Sequence, residues 1–220
     1  MLAAMTRPIA PHLLDRSARR PALQPATGAT PGYMPGQRLL GDLALARGRV
    51  HEFCGTARRT LALTLAREMT GPVFWIAPAR LPGRPNPEGV LSFIDPGRLV
   101  FVTPRRAEDL LWSMEEVLRA GVVPLVVADL PAPPALTPVR RLQLAAETGA
   151  AEGRLVPLGV LLTPGPGGAA GAESRWEMAP RHTDTSRAGM AWDLHRRRAR
   201  TAPEASWTAR WGTDGLQLLP

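Results

Sequence analysis

The chain has 220 residues, of which 45% are hydrophobic and 21% are charged, a balance typical of a globular protein rather than a disordered one. Its single cysteine, Cys54, excludes a disulfide framework and a cysteine-built zinc site. All 27 basic residues are arginine, so chemistry that needs a lysine from this chain, such as a phosphate-loop lysine or a Schiff base, is excluded.

The net charge of +8 is unevenly distributed along the chain. Residues 1–38 hold five arginines and a single acid, Asp15, among many prolines and alanines. We expect this basic leader to be poorly ordered, and the basic balance favours acidic partners such as nucleic acid. Because no apolar run approaches the length of a membrane span or a signal-peptide core, the sequence predicts a cytoplasmic protein without a membrane partner.

From residue 39 the pattern changes to alternating strands and helices. Strands are predicted at residues 48–54, 72–77, 99–103, 123–129 and 154–164. The fourth of these is a continuous apolar run, which is typical of a strand buried on both faces of a parallel sheet. The alternation predicts an α/β core over residues 39–164, with three layers, helices on both faces and a mostly parallel sheet.

Three helices are predicted between these strands, each from a local start signal. Thr56 is expected to cap a helix over residues 57–69. The other two helices are predicted to start at Thr103 and Thr137. Each threonine is followed by a proline, Pro104 or Pro138, and proline is favoured at the first helical position. The last of these helices is predicted to run through residues 139–149.

The last part of the chain, residues 165–220, has a different pattern. A glycine-rich loop is followed by three short stretches that each carry tryptophan, at residues 175–178, 190–194 and 207–211. The residues of these stretches alternate between apolar and polar, as they do in strands with one buried face. We therefore predict a C-terminal antiparallel extension of the sheet.

The turn between the first predicted strand and helix lies where a phosphate loop would be found. Its residues are Gly55, Thr56, Ala57, Arg58 and Arg59. The turn lacks the second glycine and the lysine that hold a nucleotide in that motif. We therefore predict a remnant structural turn without a cofactor or metal, and a protein that is not an ATPase or another enzyme. The alternative is that the helix start and its two arginines attract a single anion.

Seven segments carry a resemblance to a known family. They are GRVHEFCGTA (48–57), VFWI (73–76), LWSMEEVLR (111–119), RRLQLAAE (140–147), SRW (174–176), WDLHRRR (192–198) and WTARW (207–211). Together they resemble the ImuA family, RecA-like proteins of bacterial DNA-damage mutagenesis, over residues 39–213. RRLQLAAE is the most specific segment, and a similar helix occurs in the SulA cell-division inhibitors, which are also RecA-like.

The resemblance implies a RecA-like fold and a catalytically inactive accessory protein of error-prone translesion DNA synthesis in the SOS response to DNA damage. It implies protein–protein contact with ImuB, an inactive relative of the Y-family polymerases, and RecA is a further candidate partner. The alternative function is that of a SulA-like inhibitor, which would bind the cell-division protein FtsZ and need neither nucleotide nor DNA.

Two groups of arginines are candidates for partner contact. Arg140 and Arg141 are expected at a helix start, where the helix dipole disfavours positive charge. Two interpretations are equally favoured: the arginines bind a protein partner or a carboxylate, or they are solvated surface residues. The densest basic cluster is a candidate for weak, salt-sensitive DNA contact, with a solvated hairpin end as the alternative. It comprises Arg196, Arg197, Arg198 and Arg200.

Other chemically active residue types are interpreted as structural. Glu115 and Glu116 are adjacent on a helix and point about 100° apart, so a solvated or inter-subunit ion-pair role is expected rather than a catalytic one. His51 and Cys54 are three residues apart on a strand and face opposite sides, which excludes a cysteine–histidine dyad. Asp129 ends a buried strand and is expected to start the loop that follows.

Overall fold

The computed structural model describes residues 36–79, 84–106, 108–181, 190–212 and 215–219. All of them belong to one compact unit of the chain, residues 34–220. The predicted leader lies outside the described residues except at 36–38, and the first strand already begins at Gln37, two residues ahead of the predicted core boundary.

The described residues form eleven strands, four α-helices and a short 3-10 helix at Pro96–Arg98. The strands are β1 (Gln37–Leu40), β2 (Leu43–Leu45), β3 (Val50–Cys54), β4 (Val73–Ile76), β5 (Leu99–Val102), β6 (Leu125–Asp129), β7 (Leu158–Leu162), β8 (Ser174–Arg181), β9 (Ala191–Ala199), β10 (Ala205–Gly212) and β11 (Gly215–Leu218). The helices are α1 (Arg58–Arg67), α2 (Pro87–Leu91), α3 (Glu108–Ala120) and α4 (Leu136–Glu152). The five predicted core strands are confirmed as β3 to β7, and the three tryptophan stretches as β8, β9 and β10.

Nine strands form one sheet in the order β11-β10-β9-β8-β3-β7-β6-β4-β5. The six strands from β8 to β5 are parallel, and β9, β10 and β11 continue the sheet in antiparallel fashion. This confirms the predicted α/β fold with a RecA-like layout and a C-terminal antiparallel extension. The first tryptophan strand, β8, pairs in parallel with β3 and so belongs to the parallel part of the sheet. The separate β1–β2 hairpin and strand β11 were not predicted from the sequence.

Helices cover both faces of the sheet, as predicted. One apolar layer joins α1 and α2 to the inner side chains of the sheet, and its largest fully buried members include Phe53, Trp75 and Trp176. The opposite layer joins α3 and α4 to the other face and includes Met114 and Leu142. Every residue of β3, β6 and β7 is buried, as a strand between two helical layers requires.

The predicted helix starts are wrong, and groups near two of them are bonded to distant parts of the chain. Thr56 makes no cap for α1; the helix begins after Ala57, whose amide donates instead to the carbonyl of Met178 on β8. Helix α3 begins at Glu108 rather than at Thr103, and the hydroxyl of Thr103 accepts a hydrogen bond from Arg84. In each case a residue at or next to the predicted helix start is hydrogen-bonded to a residue distant in sequence.

Helix α4 is longer than predicted at both ends. It begins after Ala135 and runs through Glu152, so Thr137 and Pro138 lie inside its first turn. Proline is tolerated there because the first four amides of a helix have no partner within the helix. Gly149, where the helix was predicted to end, lies inside it.

Candidate interaction surface

The turn after β3 is closed by neighbouring backbone. Gly55 has a φ of 84°, and its amide donates to the carbonyl of Gly165 at 2.9 Å. The amide of Ala57 donates to Met178 at 2.9 Å, and a Cβ on Gly55 would overlap the same carbonyl oxygen. Two of the amides that would cradle a phosphate in a nucleotide-binding loop are therefore used within the fold, and β8 lies directly against the turn.

The two arginines of the turn face a buried carboxylate. Arg59 Nε lies 2.5 Å from Oδ2 of Asp129, and Arg58 Nε lies 3.9 Å from Oδ1. Arg58 also donates to the carbonyl of Gly55 at 3.2 Å. Burial raises the pKa of Asp129, and the hydrogen bond from Arg59 opposes that rise. The interpretation of Asp129 as merely a loop start is corrected, since it pairs with the arginines that were expected to attract an anion.

Sequence reasoning missed the most elaborate polar site, which surrounds Glu52 on β3. The side chain of Glu52 is fully buried, and its Oε1 accepts hydrogen bonds from the Thr163 hydroxyl at 2.6 Å, the Gly168 amide at 2.7 Å and the Ala169 amide at 2.9 Å. Its Oε2 lies 2.5 Å from Nε of Arg175 on β8. Glu52 thus ties the glycine-rich loop to the sheet. The signal in the sequence was one carboxylate in a strand whose residues are all buried.

His51 is a satisfied structural residue, as expected. Its Nδ1 lies 2.7 Å from Ser174 Oγ, which also accepts from the Trp176 indole at 2.8 Å, and its Nε2 lies 2.9 Å from the Ala46 carbonyl. A carbonyl only accepts, so Nε2 carries the proton and Nδ1 accepts from the serine.

Burial raises the pKa of the Cys54 thiol to about 12, and the thiol is therefore protonated and a poor nucleophile at neutral pH.

The burial of His51 predicts an acid-sensitive fold. Burial lowers the pKa of His51 from its ordinary 6.5 to about 4. As the pH falls, the unfolded chain protonates this histidine at a higher pH than the folded chain does. The free energy of unfolding therefore keeps its full value above pH 6.5 and decreases as the pH falls towards 4. The difference corresponds to about 3 kcal/mol. Urea unfolding of the wild type and H51Q from pH 7.5 to 4 should show a smaller fall in the variant; equal falls would contradict the prediction.

Glu115 and Glu116 form ion pairs within the chain. Glu115 is 7% exposed and lies 2.5 Å from Arg119 Nη2 and 2.8 Å from Arg141 Nη2. Glu116 lies 2.6 Å from Nη1 of the same Arg119. The carboxylates do form ion pairs, but within the chain rather than between subunits, and Glu115 is buried rather than solvated. One arginine bridges the two carboxylates. Arg141 therefore links α4 to α3.

Members of both predicted arginine groups meet in one groove. The groove has a volume of about 500 Å³ and lies between α4, the loop at residues 170–171 and the end of β9. Arg140 reaches it from α4, while Arg198 and Arg200 reach it from the end of β9. The helix dipole does not disfavour Arg140 as predicted, because Arg140 is the fifth residue of α4 and the dipole effect is confined to the first turn.

The remaining arginines of the basic cluster are held elsewhere. The guanidinium of Arg196 lies over the rings of Trp176 and Trp207, at 5.6 and 5.2 Å, and donates to the carbonyl of Pro203. Arg197 pairs with Glu177 at 2.6 Å. The arginines of the cluster therefore lie in different surroundings. A β-bulge in β9 lies between them, since residues 196 and 198 pair with adjacent residues of β8.

A second groove of about 280 Å³ runs along the other side of α4, against α3. Its wall includes Trp112, which is 57% exposed, and Arg141. Between the two grooves, α4 presents a ridge of exposed residues: Leu136, Arg140, Arg141 and Leu144. Exposed tryptophan and arginine side chains beside apolar ones are typical of protein-binding surfaces.

The fold and the site define an α/β protein of RecA-like layout in which neighbouring backbone closes the turn at the nucleotide position. No protein-family model matches the chain, and no curated protein matches it. Among the described residues there is no group of three or more histidine, cysteine, aspartate or glutamate side chains that could hold a metal ion. None of the helices in the described ranges is long and apolar enough to cross a membrane.

Proposed function

We propose that this protein is a catalytically inactive, RecA-like accessory protein of error-prone translesion DNA synthesis in the SOS response. It acts in the bacterial cytoplasm by protein–protein contact with an ImuB-like relative of the Y-family polymerases, with RecA as a further partner. The observation that carries the proposal is the placement of RRLQLAAE, the most specific segment of the family resemblance, on α4. Its Leu142, Ala145 and Ala146 are buried in the core, while Arg140, Arg141 and Leu144 form the exposed ridge.

The closed turn supports a role without nucleotide hydrolysis. Phosphoryl transfer depends on backbone amides, a cation and a metal ion positioned around the phosphates. Here the amides of Gly55 and Ala57 donate to backbone carbonyls, and Arg58 and Arg59 face Asp129. Binding a triphosphate at this turn would require the displacement of β8 and the breaking of a buried ion pair. We therefore propose that α4 and its two grooves form the surface that binds the partner.

A pull-down from DNA-damaged cells tests the proposed function. With the tagged chain as bait, mass spectrometry should recover an ImuB-like polymerase subunit or RecA. R140A/R141A should recover at least about fivefold less, because arginine is enriched among the interface residues whose truncation costs about 2 kcal/mol or more in binding. Its fold should persist, since Glu115 keeps its partner Arg119.

The matched control is R105A/R106A, which removes the same charge from another adjacent, exposed pair. It should recover the partner at the wild-type level. Recovery of FtsZ without a polymerase subunit or RecA would replace the proposed function with that of a SulA-like division inhibitor. Equal recovery by both variants would exclude the α4 arginines as the contact.

A further inference from the structure

The groove between α4 and the end of β9 combines positive charge with exposed apolar side chains. Arg140, Arg198 and Arg200 supply the charge, and Leu136 and Leu144 supply the apolar surface, at 39% and 62% exposure. The described residues that line the groove include no acid. A contiguous surface of this composition is suited to a ligand that carries both carboxylates and apolar groups.

The arginines of the groove are available for a ligand. Within the part of the chain that the structure describes, neither Arg140 nor Arg198 has a hydrogen bond or an ion pair. Arg200 is held only at 3.5 Å from Glu173, and its side chain is 62% exposed. The other polar side chain of the groove, Gln143, is already used, since it bonds to the backbone of Val50 in both directions.

We propose that this groove binds an acidic, leucine-containing segment of a partner protein. Carboxylates of the segment pair with Arg140 and Arg198, and its apolar side chains cover Leu136 and Leu144. The inference deepens the proposed accessory function and rests on it for the identity of the partner, because it states the chemistry by which that partner is recognised.

Charge and composition favour this occupant over two others. Residues 1–35 of this chain carry four arginines and one acid, so they would be repelled by a basic groove. Single-stranded nucleic acid binds where bases stack on aromatic side chains, and none of the described residues lining the groove is aromatic. A phosphate backbone would also leave Leu136 and Leu144 uncovered, whereas a peptide with leucines would bury them.

Fluorescence anisotropy with the full chain tests the proposal. The probe is a labelled peptide of about twelve residues that mixes aspartate, glutamate and leucine, and its counterpart carries asparagine and glutamine instead of the acids. The wild type should bind the acidic probe saturably and the counterpart at least about tenfold more weakly. R140A/R198A should lose about tenfold or more in affinity for the acidic probe, and L144A should lose a smaller factor.

The control variant is R210A, which removes an exposed arginine from β10 outside the groove and should bind as the wild type does. Circular dichroism should show unchanged folding in all variants, because neither Arg140 nor Arg198 has a hydrogen bond or an ion pair to lose among the described residues. The proposal is overturned if the acidic probe does not bind saturably, if R140A/R198A binds it as tightly as the wild type, or if an oligothymidine binds more tightly with the same dependence on these arginines.

The outcome is separable from that of the proposed function. If the wild type recovers a polymerase subunit from damaged cells and R140A/R198A recovers as much, the groove is not the contact, and the proposed function stands. If no such partner is recovered while the peptide still requires both arginines, the groove assignment stands, and the proposed function fails.

Discussion

Replacing Glu52 by alanine is expected to lower the free energy of unfolding by about 4 kcal/mol, because it breaks a buried ion pair by removing one partner. Arg175 would keep its charge beside a vacated, largely buried site. The Thr163 hydroxyl and the amides of Gly168 and Ala169 would lose the acceptor that they share. Urea unfolding monitored by tryptophan fluorescence measures the effect, and a loss under about 1 kcal/mol would contradict it.

Two further variants separate the causes of that loss. E52Q keeps the shape and one acceptor oxygen but removes the charge facing Arg175, so we expect an intermediate loss of about 2 kcal/mol. E116A removes an exposed carboxylate that pairs with Arg119 and should cost less than about 1 kcal/mol. If E116A were as damaging as E52A, burial would not be the reason for the effect.

Replacing Gly149 by alanine is expected to cost about 3 kcal/mol or more, although alanine is the better helix former. A Cβ at Gly149 would overlap the carbonyl oxygen of Leu118 on α3. The obstacle is backbone, so no side-chain rotation can relieve it, and α3 and α4 would have to move apart. Thermal or urea unfolding of G149A should show the loss directly.

Gly89 provides the matched control for this prediction. It also lies inside a helix, α2, and a Cβ there would have nothing within 4 Å. G89A should therefore be neutral or stabilising by about 0.5–1 kcal/mol, the ordinary preference of a helix for alanine over glycine. If G149A behaved like G89A, close packing of α3 against α4 would not explain the glycine.

The α/β fold was predictable because its signals are local. The apolar run from Val123 to Asp129 and the helical spacing of Leu110, Met114 and Leu118 depend on residues that are close in sequence. The alternation of strands with helices predicts helical layers on the faces of the sheet and mostly parallel strands. The helix starts at Thr56 and Thr103 were mispredicted. β8 holds the backbone of Ala57 and Arg84 holds the hydroxyl of Thr103, and neither contact with a distant segment is visible in the local pattern.

Composition by itself determined one functional fact: a chain without lysine cannot supply a phosphate-loop lysine. The order of the residues identified Arg140 and Arg198 as members of two separate basic groups. Only the tertiary structure placed both in one groove, paired Arg59 with Asp129 across 70 residues of chain, and enclosed Glu52. The reason is physical: periodicity determines which face of an element is buried, but the register and order of the strands decide which residues from distant segments meet.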